Sequence, residues 1–315
     1  EGYPEDIIPH LVQKYDVDEV YHHREIAKRE TSISEAVETA LWKIKRNLKH
    51  FIGHTLYHKE DLPFPIRDIP NDFNTFRKKI NKESSVRQPF ADISSVAIPP
   101  HLEKTIFHYS VADYPTVDGE KAAFMALDNV IQNAKSNTDL YFKISPYLAL
   151  GTLSPVYTYH YLKDRINASN KKGINAIVNN LLRRDYFRFM LKKYPSCYFI
   201  NQEPEAHMNV ELINNWRYGI TDNSVVNNIM QKLNQTGSLN EQERIYTAAY
   251  FIYELKQNWL TGASWFEQQL VDYAPATTYG TWAHYAGQGT SLKNNKTEDD
   301  WDKLKEHEIA VLETL

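Results

Sequence analysis

The sequence predicts a mainly α protein: an all-helical domain over residues 119–290, preceded by a partial α/β layer over 1–60 and a connector over 61–118, and followed by a polar tail over 291–315. Three observations predict it. Apolar residues recur at i, i+3, i+4 spacing through most of the second half, the period of amphipathic helices. The first sixty residues hold two strand-like runs around one helical run, too few strands for a sheet that stands alone. Only 11 glycines occur in 315 residues, about half the usual ~7%, so the residue that most weakens helices after proline is scarce.

The elements follow in order. Residues 6–15 read as a short helix and Val17 to Tyr21 as a strand. Ser32-Ile33-Ser34-Glu35 has the form of a capping box, and Val37, Ala40, Leu41, Ile44 and Leu48 behind it predict a helix over 33–48. Phe51 to Tyr57 suits a second strand. From Lys59 to Gly119 the prolines Pro63, Pro65, Pro70, Pro89, Pro99, Pro100 and Pro115 mark the connector, with one helix over 71–82. Beyond it, helices are predicted over 120–135, from Ser154-Pro155 as an N-cap followed by the favoured first-turn proline, and over 172–193, 222–234, 241–257 and 260–272. Asp272 to Trp282, with Thr277, Thr278 and Gly280, reads as a polar loop of the kind that lines cavities. The segment 291–308 reads as a tail or terminal helix.

Composition excludes several function classes. No three glycines fall at G-x-G-x-x-G spacing and none opens a G-x-x-x-x-G-K-[ST] loop, so neither glycine-rich phosphate cradle is present. A G-x-S-x-G elbow, an H-E-x-x-H pair and a C-x-x-C are also absent. The histidines, among them His22, His23, His54, His58, His101, His108 and His284, show no ligand spacing, so no metal is expected. Cys197 stands alone, which suits a reducing, cytoplasmic setting. No apolar run approaches the ~20 residues of a membrane span, and no membrane partner is expected. Glu1-Gly2-Tyr3 resembles neither a signal peptide nor a natural start, as if the chain began inside a longer protein. The net charge of −4 gives no global attraction to nucleic acid, so any such binding requires a local basic patch.

One such patch is visible. Arg184, Arg188 and Lys192 recur every four residues and share a helix face, with Lys171, Lys172, Arg183 and Lys193 nearby and Asp185 alone opposing them, a local charge of +6. That face is either solvated or tracks phosphates. Trp216, Trp259, Trp265 and Trp282 gather in the last third among tyrosines. They are either core, or a platform for a planar ligand and a path for electrons. Arg244 and Asp272, at ends of neighbouring apolar helices, are expected to pair, because neither is readily buried alone.

The run Lys143-Ile144-Ser145-Pro146-Tyr147-Leu148-Ala149-Leu150-Gly151-Thr152-Leu153-Ser154-Pro155 closely resembles the K-L-S-P-W-L-A-L-G-C-L-S-P motif of the photolyase/cryptochrome family. The likeness continues through Arg184-Asp185-Tyr186-Phe187-Arg188-Phe189, Trp216-Arg217-Tyr218-Gly219, Trp259-Leu260-Thr261-Gly262-Ala263-Ser264-Trp265-Phe266-Glu267 and Asp272 to Trp282. Upstream, Thr55-Leu56-Tyr57-His58-Lys59-Glu60-Asp61-Leu62-Pro63-Phe64 is similar to the cryptochrome-DASH branch. The resemblance implies a Rossmann-like antenna domain, here partial, and an all-helical domain that holds FAD. It implies light-driven electron transfer to pyrimidine dimers in DNA, a lyase reaction in which the damaged bases are flipped toward the flavin. By position, Ser145, Arg184, Arg244, Phe266, Asp272 and Thr278 match flavin-contacting residues, Trp282 and Trp259 match the inner electron-transfer chain, and Arg183, Arg188 and Lys192 fall on the DNA-facing helix. The partner implied is single-stranded or damaged DNA, bound by a monomer.

Several positions depart from the family pattern. Two small hydroxyl residues that bond the FAD phosphates are Tyr141 and Phe142 here; the aspartate two after Asp272 is Ala274; the asparagine facing the flavin is Thr278. The N-R-x-R stretch reads Glu241-Gln242-Glu243-Arg244, a glutamate and a tryptophan of the dimer pocket are Asn180 and Arg183, and the outer tryptophan falls near Ala206. These departures define an alternative: a non-catalytic, flavin-free nucleic-acid-binding or scaffold protein on the same fold.

Overall fold

A computed structural model of the chain describes residues 2–91, 97, 99–103, 119–135, 137–202, 208–291 and 295–306. Ala206, His108 and the end of the tail lie outside the described residues. The first layer is α1 (Pro4–Lys14), β1 (Glu19–His23), α2 (Lys28–Lys43) and β2 (Asn47–Phe51). β1 and β2 pair in parallel from Glu19 opposite Asn47 to His23 opposite Phe51, with α2 as the crossover that a parallel pair requires. Val12, Val37, Leu41 and Leu48 form the small core of this layer.

The boundaries there differ from the sequence expectation, β1 lying at Glu19–His23 rather than Val17–Tyr21. α2 begins at Lys28 with Ala27 as an uncapped N-cap, so the Ser32–Glu35 box lies inside the helix. It stops at Lys43 because Lys45 turns left-handed, at φ 58°. The Arg46 amide then returns to the Leu41 carbonyl and the Lys45 amide to that of Trp42, a Schellman turn. Leu48 consequently belongs to β2, and the second strand ends where it was expected to begin.

Beyond α3 (Phe73–Glu83) the helical half comprises α4 (Gly119–Asn133), α5 (Ser145–Leu150), α6 (Pro155–Lys163), α7 (Lys171–Lys193), α8 (Val210–Tyr218), α9 (Ser224–Thr236), α10 (Glu241–Ala249), α11 (Trp259–Gln269), α12 (Pro275–Tyr285) and α13 (Glu298–Glu306). The Ser154 hydroxyl accepts from the Tyr157 amide, the predicted cap of α6. α10 passes into a π turn over Tyr250–Glu254, where the Leu255 amide reaches the Tyr250 carbonyl.

The largest correction is α12, expected as a loop. Threonines and Gly280 have low helix propensity, but Pro275 fits the first turn, and packing buries Ala276, Thr278, Tyr279, Gly280, Trp282, Ala283 and Tyr285. Gly280 is where α12 meets α7: a Cβ there would lie 2.4 Å from Phe187 Cδ1. Gly262 performs the same service for α11, since its Cβ would meet Trp282 at 2.3 Å.

α7 is the axis of the fold. Its Asp185 is buried and accepts from the amides of Leu56 at 3.0 Å and Tyr57 at 2.8 Å. Arg188 Nη1 donates to Glu25 at 2.7 Å, and Lys193 Nζ donates to the Ile69 carbonyl at 2.6 Å. The N-terminal segment is thus bonded to α7 along three of its turns. One continuous apolar core runs from Ala27 and Leu56 through Phe76, Leu127 and Leu181 to Trp216, Phe251, Trp282 and Trp301. No helix among the described residues is long and apolar enough to cross a membrane.

Candidate functional site

Asp272 follows α11 and precedes the first turn of α12, and its carboxylate is the focus of the site. Arg244 Nη2, from α10, donates to Oδ1 at 2.9 Å and to Oδ2 at 2.8 Å, and its Nε donates to the Leu239 carbonyl at 2.9 Å. Ser145, opening α5, donates its hydroxyl to Oδ2 at 2.5 Å. The expected Arg244–Asp272 pair is therefore present, with the aspartate side chain only 6% exposed. The carboxylate brings together α5, α10 and the α11–α12 corner, which are 127 residues apart at the extremes.

Arg184 extends from α7 to the same place. Its Nη2 donates to the Leu148 carbonyl at 3.1 Å, while Nη1 is buried and meets no hydrogen-bond acceptor among the described residues. A buried guanidinium N–H without an acceptor is costly, and the usual resolution is a ligand or water.

Two cavities flank this cluster. One, of about 70 Å³, is lined by Ser145, Phe266, Asp272, Thr278 and Trp282; the other, of about 100 Å³, by Asp139, Phe142, Asn180, Arg183 and Glu241. Tyr141, Arg184, Arg244, Asp272, Thr277, Thr281 and Tyr285 line both. Desolvation pushes the Tyr141 hydroxyl up to about 12, with Arg184 opposing, so the phenol stays neutral. Thr281 and Tyr285 were not singled out in the sequence. They share a face with Thr277 at i, i+4 spacing, a signal that appears only once 275–285 is recognised as a helix.

The tryptophans divide. Trp282 stands edge-on to Phe266 at 5.1 Å and 90°, and to Trp216 at 6.1 Å and 86°. Trp259 opens α11, is buried, and donates its Nε1 to Gln288 at 3.1 Å; it lines neither cavity. The structure thus brings Trp216, not Trp259, against the ring of Trp282.

The basic stripe on α7 is more closely partnered than a count along the sequence suggests. Arg188 pairs with Glu25 and donates Nη2 to the Arg24 carbonyl, Arg183 Nη1 donates to Glu241 at 3.0 Å, and Lys193 is bonded to Ile69 and Asn71. The local charge of +6 is lowered accordingly, because Glu25 and Glu241 come from distant segments. Lys171, Lys172 and Lys192 remain exposed. Partial desolvation by its neighbours, then the charges of Lys59, Arg24 and Arg188, hold the Lys192 ammonium below its usual value. The histidines also meet in space, as His22 with His50 at 2.6 Å and His23 with His54 at 3.1 Å.

Comparison with known proteins decides the kinship. The family described as DNA photolyase matches residues 1–94, and the FAD binding domain of DNA photolyase matches residues 177–298. Cryptochrome DASH of Synechocystis sp. is 30% identical over 93% of this chain and 66% of its own length, and that of Danio rerio 29% over 94% and 63%. The chain belongs to the photolyase/cryptochrome family. A crystal structure of the Synechocystis cryptochrome superposes with a TM-score of 0.77 at 29% identity, covering 91% of this chain and 66% of that one. This photolyase/cryptochrome chain therefore spans just under two thirds of the length of the relatives it matches. These relatives are DASH cryptochromes, and FAD is the cofactor of a domain of this type.

The donor set fits FAD. A buried Arg–Asp–Ser chain beside an unpartnered guanidinium N–H offers acceptors and donors to a polar ring edge and positive charge to a pyrophosphate. The space is narrower than the chemistry. Ligand pockets commonly run ~300–1,000 Å³, whereas the two cavities measure about 70 and 100 Å³ and have Tyr141 and Tyr285 in both walls. Seating the cofactor requires these rings to turn aside.

Proposed function

We propose that this chain is a photolyase-type flavoprotein that acts on DNA, with light-driven electron transfer to pyrimidine dimers as its reaction. The observation that carries the reading is the Ser145–Asp272–Arg244 chain with the open Nη1 of Arg184 beside it. Asp272 accepts hydrogen bonds from the flavin ring edge, Arg244 and Ser145 hold its carboxylate in place, and Arg184 offers its free N–H to the phosphates. Phe266 and Thr278 form the wall against the ring. FAD supplies the photochemistry when bound. Trp282 and Trp259 are the proposed electron sources, and Arg183, Arg188 and Lys192 the proposed DNA contacts. The substrate is damaged or single-stranded DNA, and the protein acts as a cytoplasmic monomer. The division into an antenna-type layer over 1–60, connector over 61–118, helical domain over 119–290 and tail over 291–315 belongs to the same reading. The test is repair of a thymine-dimer oligonucleotide by FAD-loaded protein, compared in light and darkness; equal dimer content in both refutes the reaction.

One observation favours a second reading. The two cavities, of about 70 and 100 Å³, are far smaller than a dinucleotide pocket. On that ground the alternative is a flavin-free nucleic-acid-binding or scaffold protein, and protein that stays colourless after reconstitution with FAD supports it.

A further inference from the structure

A larger cavity lies elsewhere than between the flavin-side rings. It is a cleft of about 510 Å³ between the N-terminal layer and the helical half. Its walls are the segments after β1 and β2, the α5–α6 corner, the Arg184–Arg188 face of α7 and the opening of α12. Its size falls within the range of small-molecule sites, roughly 300–1,000 Å³.

Charge in the cleft is unbalanced toward positive. Arg188 is matched by Glu25, whose other oxygen lies 4.0 Å from His54 Nε2. Arg184 has no carboxylate within ion-pair distance among the described residues, and its Nη1 lacks an acceptor. Burial, then Arg188, holds His54 at about 3, so at neutral pH it is uncharged. Its Nδ1 meets His23, while its Nε2 is buried with no hydrogen-bond partner. α12 starts in the cleft at Ala274 with no side-chain cap, so its first free amides add to the positive end. Against these polar groups stand Leu148, Leu150, Leu153 and Pro155, an apolar wall.

We propose that this cleft binds a small organic oxyanion, its phosphate or carboxylate held by Arg184 and the first turn of α12 and its apolar body lying on Leu148, Leu150 and Pro155. Phosphate monoesters and carboxylates share that chemistry. The site adjoins the flavin-side cavities, sharing Ala149, Arg184, Ala274 and Thr277 with the smaller of them, but Leu150 lines only the cleft. Arg184 can serve only one of the two at a time, so the inference concerns the flavin-free chain.

Leu150 is 63% exposed at the cleft wall, so charge can be placed there without disturbing the core. The test is calorimetric titration of the full chain with inorganic phosphate, AMP and benzoate, in wild type, Leu150→Glu and Leu150→Lys. Binding of at least one probe, weakened about tenfold by Leu150→Glu and strengthened by Leu150→Lys, supports the site, and the tighter of AMP and benzoate identifies the headgroup. Absence of binding by all three, or binding that both variants leave unchanged, overturns it; the latter result assigns the probe to the flavin-side cavities.

Discussion

Arg244 grips Asp272 with a single nitrogen, Nη2, placed 2.9 and 2.8 Å from the two carboxylate oxygens, while Ser145 approaches Oδ2 from the opposite helix at 2.5 Å. Breaking a buried pair by removing one partner typically costs about 3–5 kcal/mol, because the remaining charge is left without compensation. Arg244 is 23% exposed, which places the expected loss near the lower limit. Asp272→Ala should therefore destabilise the fold by about 3 kcal/mol, and the double variant Arg244→Met, Asp272→Leu by clearly less. Urea midpoints of the three proteins check this; a single variant as stable as wild type would remove the pair from the account.

Tyr141 stands in the wall of both flavin-side cavities. Tyr141→Ser should tighten FAD binding at least tenfold in a fluorescence titration, at a stability cost of about 3 kcal/mol for the lost ring. Equal affinity in the two proteins shows that the ring does not obstruct the cofactor.

Of the three proposed DNA contacts, the exposed Lys192 should carry more of the salt dependence than Arg183 and Arg188, whose charges Glu241 and Glu25 already offset. Lys192→Ala is expected to lower the slope of log K against log salt by about one. Arg188→Ala should in addition lower stability, since its guanidinium is bonded to Glu25 and to the Arg24 carbonyl. A salt slope unchanged by Lys192→Ala takes that lysine out of any phosphate contact.

Acid stability carries the sign of a buried neutral histidine. Burial, then Arg183 and Lys296, lowers His284 to about 4, below its unfolded value of about 6.5. Stability from this group is present above pH 6.5 and is lost as pH falls toward 4, because the unfolded chain binds the proton first. Between pH 7 and 5 that amounts to about 2 kcal/mol. His284→Gln should therefore gain on wild type by that amount across the interval, measured as the difference in unfolding free energy at the two pH values. A constant difference contradicts the assignment.

The helical class was legible because amphipathic periods and caps act locally: Ser154-Pro155 predicts the start of α6, and the structure has it there. α12 was not legible, since Thr277, Thr278 and Gly280 argue locally against a helix. Gly280 is explained only by Phe187, which is 93 positions earlier in the chain but in contact. The Arg244–Asp272 pair could be anticipated from the rarity of lone buried charges. The neutralisation of Arg183 and Arg188 could not, because Glu241 and Glu25 reach them through the fold. The same holds for the cleft between the layers, whose walls come from five separated segments.

The central claim is that the Ser145–Asp272–Arg244 chain seats FAD. The most direct measurement is the visible absorption of full-length protein purified in the dark, mixed with excess FAD and freed of unbound cofactor. The account predicts a flavin spectrum at close to one FAD per chain, abolished by Asp272→Ala under conditions where that variant remains folded. A colourless wild-type protein, or equal flavin content in both, would contradict it.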